Sequence, residues 1–350
     1  MNNEVIVCAG SGGVGKTTIA AAMAVRASQL GKRVLVLTVD PAKRLATALG
    51  LDLQDHHDKK VPLEKGELSA AVIDSKKIFD EFIATHAQGA EIVAKIMKNR
   101  LYQQLSTTLA GSQEFTSLER LLQSTESGKY DLVVLDTPPT KHAVDFLTAP
   151  QRINSLFQEG VTKWFMGPGD KPSGLFARVI NKGTRTVLKS LETLTGGQFI
   201  EELVDFFSAV RSIQSVLRTR SEDAHKVLLG EKTKFVVVTS FDAAKLMEAK
   251  YLQGELARLD YRLAGVVINR AFPVGLPEGL SPDPGSEDHE AQEKLISFFG
   301  RFKEYYGNRY RMYDEFARGL DKKVAVVRVP EYQRDVLGLA DLEKLAEVIG

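Results

Sequence analysis

One cysteine, Cys8, is all the thiol chemistry available to this 350-residue chain. A disulfide framework is thereby excluded, and a thiolate metal site would need more than one sulfur. Excess charge of either sign is just as scarce. Lys and Arg number 46 against 45 Asp and Glu, for a net charge of +1, so the whole-molecule field offers no attraction to nucleic acid or to a membrane surface, and no nucleic-acid partner is expected. Long apolar runs are missing too. None approaches the roughly 20 residues of a membrane span, and Met1-Asn2-Asn3-Glu4 carries no basic leader pattern. A reducing cytoplasm is the expected home. With only 6 methionines, an adaptable Met-rich groove is not indicated. What remains is ordinary globular material, 43% hydrophobic and 26% charged, long enough for one large α/β domain or two small ones.

The chain does contain a glycine-rich loop close to its start. Gly10-Ser11-Gly12-Gly13-Val14-Gly15-Lys16-Thr17-Thr18 fits G-x-x-x-x-G-K-[ST], the phosphate-binding pattern. The context agrees with the motif. Val5 to Ala9 reads as a buried strand and Ile19 to Val25 as a helix, and strand, glycine loop, helix is the setting in which backbone N–H groups close around phosphate oxygens. Lys16 is placed to reach the β- and γ-phosphates and the Thr17 hydroxyl to ligate Mg²⁺. ATP and Mg²⁺ are the expected cofactors.

Short β-branched runs recur along the chain: Val34 to Val39, Ala70 to Ile73, Leu132 to Leu135, Phe235 to Thr239, Gly265 to Ile268 and Val324 to Val329. Helical patterns separate them. The alternation predicts a doubly wound, mostly parallel sheet of the P-loop NTPase type. Two stretches break it. Residues 76–128 carry Ile78, Phe79, Phe82 and Ile83, and later Leu118, Leu121 and Leu122, at helical spacing. Residues 141–230 hold no convincing strand but place Ile153, Leu156, Phe157, Val161, Trp164 and Phe165 on one helical face, and Phe199, Leu203, Phe206, Phe207, Val210 and Ile213 on another. The expectation is a core of residues 1–75, 129–140 and 231–350 with a helical subdomain, 76–128 and 141–230, inserted into it. Its stripes either pack on the core or form a groove for an apolar segment. Gly167 to Gly174 and Pro273 to Asp288 read as loops.

Strand ends supply the remaining chemistry, as open α/β sheets require. Asp136 closes Leu132 to Leu135 and is followed by Thr137-Pro138-Pro139-Thr140. A carboxylate there can hold Mg²⁺ through its water shell, and the two prolines stiffen a segment able to move as a unit when the γ-phosphate leaves. Asp40 closes the second strand before Pro41-Ala42. It is a candidate to orient the hydrolytic water or accept its proton, a role compatible with capping the helix that follows. Asn269 closes Gly265 to Ile268 and offers a donor and an acceptor to an adenine edge. Val329-Pro330-Glu331 can wall the base. His56-His57 and Lys59-Lys60 read as a solvated polar loop rather than a metal site.

Together these motifs resemble the ArsA-like ATPases, a deviant-Walker group that includes the ATPase subunit of bacterial arsenite pumps and the eukaryotic ATPase that delivers tail-anchored membrane proteins. The first switch matches as Asp40-Pro41-Ala42 with Leu45 and Leu49. The second matches as Asp136-Thr137-Pro138-Pro139-Thr140-Lys141-His142 with Phe146-Leu147. Asn269 and Val329-Pro330 also fit, so the resemblance spans nearly the whole chain. It implies a nucleotide-sandwich dimer, of two copies or of this chain with a paralogue. Asp40 would activate water, Asp136 would sense the γ-phosphate and Asn269 would hold adenine, while hydrolysis reshapes a surface on the helical subdomains. A membrane-protein client or a membrane transporter is the implied partner.

Three departures qualify the match. The family loop usually begins G-K-G-G-V-G-K, and its first lysine reaches the partner's phosphates. Here that position is Ser11, which removes a charge-assisted contact of roughly 1.5–3 kcal/mol unless Lys141 or Arg44 replaces it. The arsenite-binding relatives use several cysteines, and only Cys8 exists here. No C-x-x-C zinc clasp is present either, so zinc is not expected. Alternatives are an anion- or metalloid-transport-coupled ATPase subunit, or a weakly hydrolysing regulatory subunit that works with a paralogue.

Overall fold

The computed structural model describes residues 3–39, 43–51, 57–87, 89–99, 102–103, 112–138, 143–150, 197–271, 288–332 and 335–350. Among the described residues eight strands form one sheet: β1 (Glu4–Gly10), β2 (Arg33–Thr38), β3 (Lys59–Lys60), β4 (Glu67–Val72), β5 (Leu132–Asp136), β6 (Thr233–Ser240), β7 (Leu263–Ala271) and β8 (Ala325–Pro330), in the order β3-β4-β2-β5-β1-β6-β7-β8. All pairings are parallel except β3 with β4. This is the mostly parallel α/β sheet the alternation predicts. Lys59 and Lys60 correct one expectation. They form a short antiparallel edge strand on Ser69 and Ala70 rather than a free loop. Two lysines on an edge also discourage further strand addition.

Strand alternation divides the core into two layers. Val5, Val7, Leu35, Leu37, Val133 and Leu135 face one side and Cys8, Val34, Val36, Leu132 and Val134 the other. Helices α1 (Lys16–Gln29), α2 (Lys43–Leu49) and α9 (Leu339–Ile349) cover the second side. Ala20, Ala21, Ala22 and Ala24 of α1 are fully buried; their small side chains let the helix approach the sheet closely, which holds the start of α1 at the carboxyl end of β1. The first side is covered by α5 (Ser112–Glu126), the helical residues 143–150, the end of α6 (Gly197–Leu229), α7 (Ala243–Arg258) and the last turns of α8 (His289–Arg318). Asp242 caps α7 and Asp288 caps α8 through their carboxylates, which satisfies otherwise unpaired N–H groups.

A third, smaller cluster stands apart from the sheet. Phe82 and Ile83 of α3 (Ser75–His86), Ile96 of α4 (Ala90–Lys98), Tyr102, Phe115 of α5, and Ile213 and Leu217 of α6 pack together. The Phe82 and Phe115 rings meet edge to face at 5.2 Å. Helix α5 belongs to both cores, because Leu118, Leu121 and Leu122 turn back to the sheet. Arg220 of α6 ties the layers together. It forks onto Glu119 at 2.9 Å and Glu126 at 2.8 Å, with the Glu119 side chain 1% exposed. Arg220→Ala would leave that carboxylate buried without this counter-ion, the neutral Gln123 amide still donating to it at 3.0 Å. Urea unfolding is expected to show a loss of about 2–3 kcal/mol, below the 3–5 typical of a fully buried pair because Glu126 is partly wet. The predicted helical face from Ile153 through Phe165, and the predicted loops at 167–174 and 273–287, lie outside the described residues, as do the side chains of Phe199 through Val210. Among the described residues no helix is long and apolar enough to cross a membrane.

Candidate functional site

The sheet order brings the predicted elements to one edge. β5 lies between β1 and β2, with Asp136 in register with Cys8 on one side and Thr38 on the other. All three strands are parallel, so their carboxyl ends open into the same crevice, where ligands of such sheets bind.

The glycine loop is shaped by two close approaches. A Cβ on Gly10 would stand 2.2 Å from the Val238 carbonyl oxygen of β6, which forces glycine where the loop leaves the sheet. Gly15 takes φ 84°, and a Cβ there would meet the Asn269 amide at 2.3 Å. The left-handed turn at Gly15 starts α1 at Lys16, leaving the first helical N–H groups and their dipole directed at the loop.

Asp136 is the electrostatic centre. It is fully buried. The Lys16 ammonium stands 3.0 Å from its Oδ1 and also donates to the Thr137 carbonyl. The Thr17 hydroxyl donates to Oδ2 at 2.6 Å and the Thr38 hydroxyl at 2.9 Å. Oδ1 accepts no well-directed hydrogen bond among the described residues despite its ion pair. A buried carboxylate with one oxygen short of a donor and a threonine hydroxyl on the other suits a hydrated Mg²⁺, which takes carboxylate and hydroxyl oxygens. Thr137 is anchored too: its hydroxyl and its N–H both donate to the Cys8 carbonyl, at 2.8 and 3.1 Å. Cys8 itself is inert. Burial, and then the Asp136 charge, push its thiol pKa far up.

A cleft of about 720 Å³ opens beside the loop, lined by Ser11, Gly12, Gly13, Gly15, Lys16, Thr17 and Thr18 and closed by Asn269 and Pro330. Val14 lies beneath it, 1% exposed. Gly10 stays in β1 as the loop's hinge. Asn269 reaches the cleft, but its Nδ2 donates to the Val14 carbonyl at 2.8 Å. Ser11 is 3% exposed. Arg44 of α2 lines the cleft. Asp40, Lys141 and His142 lie outside the described residues.

Sequence reasoning passed over three contributors. Thr38 is one β-branched residue among several in its strand, and only the sheet order reveals that its hydroxyl faces Asp136. Arg270 and Tyr332 line the cleft. Their signal was adjacency to Asn269 and Pro330, which the strand-end argument did not extend by one or two residues.

The comparisons with known proteins cover the same ground. The family model described as anion-transporting ATPase matches residues 3–350. The chain belongs to that family. ATPase get3 of Aspergillus terreus is 27% identical to it over 349 residues, covering 98% of this chain and 89% of the relative. ATPase get3 of Aspergillus niger matches at the same identity and coverage. Membership in the anion-transporting ATPase family makes the chain an ATPase, in keeping with the resemblance read from the loop and switch motifs, and makes it a nucleotide-binding protein.

Proposed function

We propose that this ATPase is a Mg²⁺-dependent switch that closes as a dimer over ATP, as two copies or with a paralogue, and passes its nucleotide state to an apolar segment of a membrane-protein client. The observation that carries the reading is the buried junction of Lys16, Thr17, Thr38 and Asp136. It joins the phosphate loop to the start of the 137–140 segment, so phosphates that draw Lys16 toward themselves also change what holds Asp136 and Thr137. Lys16 would serve the β- and γ-phosphates, residues Gly10 to Thr18 the cradle, Asn269 and Pro330 the base, and Asp40 the attacking water. Thr17 and Asp136 would hold Mg²⁺, which supplies positive charge to phosphoryl oxygens.

Residues 76–128 and 141–230 form the client-binding subdomain in this proposal. Support comes from the separate cluster around Phe82, Ile96 and Phe115 and from the helical spacing of Phe199, Leu203, Phe206 and Val210 in α6. The relatives named ATPase get3 match along almost the full chain. The cytoplasm is the proposed site of action. In sedimentation velocity, the purified chain is expected to move from monomer to dimer when Mg²⁺ and a non-hydrolysable ATP analogue are added, and a Leu-rich 20-residue helical segment fused to a soluble carrier is expected to co-sediment with it. A monomer under all nucleotide conditions, with no capture of the segment, sinks the proposal. Ser11 favours a second reading, a weakly hydrolysing subunit dependent on a paralogue; turnover that rises only when the paralogue is added separates the two.

A further inference from the structure

Asn269 stands at the end of β7, and its amide is not simply aimed into the cleft. Nδ2 donates to the Val14 carbonyl at 2.8 Å, across 255 positions of chain. The assignment of the amide is chemically forced, because a carbonyl oxygen can only accept and only the NH₂ end of the side chain can donate. The contact falls at one of the loop's two close approaches. A Cβ on Gly15 would lie 2.3 Å from that same nitrogen, so the amide is seated against the left-handed turn that starts α1. The backbone around Asn269 is shaped to present it. The register of β7 on β8 slips between Ile268 and Ala271, and Arg270 takes φ 54°. A bulge of this kind re-aims a side chain next to a site, and a left-handed arginine persists only where neighbouring structure enforces it.

We infer that Asn269 is a positioning residue for the phosphate loop: its amide holds Val14 and Gly15 in the cradle conformation before any phosphate arrives, and leaves Oδ1 as the atom that can face a base. The inference rests on the reading of the loop as a nucleotide cradle and deepens it. One side chain then serves both ends of the nucleotide, so ligands that have phosphates but no base also depend on it. A residue that only reads adenine would be indifferent to such ligands.

The test uses the full chain and two readouts. In the ligand-free protein, Asn269→Ala is expected to raise amide hydrogen exchange at residues 13–17 by about fivefold, the factor that one ordinary hydrogen bond corresponds to. The same variant is expected to weaken binding of inorganic tripolyphosphate with Mg²⁺, measured calorimetrically, by about five- to tenfold. Asn269→Leu keeps most of the volume without the donor and is expected to behave alike; it carries the test if the alanine variant does not fold. Exchange and tripolyphosphate binding that match the wild type, with ATP affinity alone reduced, would overturn the inference and leave Asn269 a base reader. Failure of the nucleotide reading shows elsewhere, as equal ATP hydrolysis by wild type and Lys16→Met, and does not affect the ligand-free exchange comparison.

Discussion

Replacing Asp136 with alanine is expected to lower ATP hydrolysis by about 10³-fold, the scale on which a charged group or metal ligand at the phosphoryl site acts. The same change is expected to cost about 3–5 kcal/mol of stability. Both effects have one source. The carboxylate is fully buried and balances the Lys16 ammonium, whose side chain is 5% exposed, while accepting from Thr17 and Thr38. Removing it leaves a buried cation facing, among the described residues, the Thr137 carbonyl, and leaves two buried hydroxyls without their acceptor. It also removes the strand-end carboxylate that suits Mg²⁺. Steady-state hydrolysis and urea midpoints, measured on the same preparation, check the pair of outcomes. Wild-type hydrolysis in a folded Asp136→Ala protein would remove Asp136 from the site altogether.

Much of this architecture could be read in advance, for identifiable reasons. Parallel core strands are buried on both faces, so Val34-Leu35-Val36-Leu37 and Leu132-Val133-Val134-Leu135 appear as unbroken apolar runs. The glycine loop was readable because backbone shape dictates glycine at Gly10 and Gly15, and a strand-end aspartate stands out against apolar neighbours. Other features depend on partners distant in the chain. Lys59 and Lys60 become a strand only because β4 offers them an edge. Thr38 matters only because β5 inserts between β1 and β2. Helix α5 reads as one amphipathic segment, yet Phe115 packs in the helical cluster and Leu118, Leu121 and Leu122 pack under the sheet. Periodicity gives the face of a helix and not which of two cores receives each end of it. The Asn269 to Val14 bond lies beyond any local pattern.

The same dependence on distant partners links three strand ends at the candidate site. β1, β2 and β5 each contribute to the junction at their carboxyl ends, and Val39 N–H donates to the Asp136 carbonyl at 3.2 Å. The segment leading to Asp40 and the segment leading to Thr140 therefore leave the sheet from hydrogen-bonded neighbours. A displacement of Asp136 would be transmitted to both neighbours, which is the physical basis for expecting the two segments proposed as switches to respond together.

Lys16→Met is expected to abolish measurable hydrolysis, a loss of 10³-fold or more by the same comparison, and to destabilise the fold by about 2–4 kcal/mol. The second figure is the smaller of the two single-variant costs because the Thr17 and Thr38 hydroxyls continue to donate to Asp136. The informative variant is the double one, Lys16→Met with Asp136→Asn. It removes both charges and keeps both shapes, and a buried pair replaced as a unit costs far less than either half removed alone. The double variant is therefore expected to be more stable than Lys16→Met, with a higher urea midpoint, and still to lack hydrolysis. That pattern would assign the stability loss in Lys16→Met to an uncompensated buried charge and its activity loss to chemistry. A double variant less stable than Lys16→Met would show that Lys16 and Asp136 do not act as a pair, and the junction at the end of β5 would have to be explained through the threonines alone.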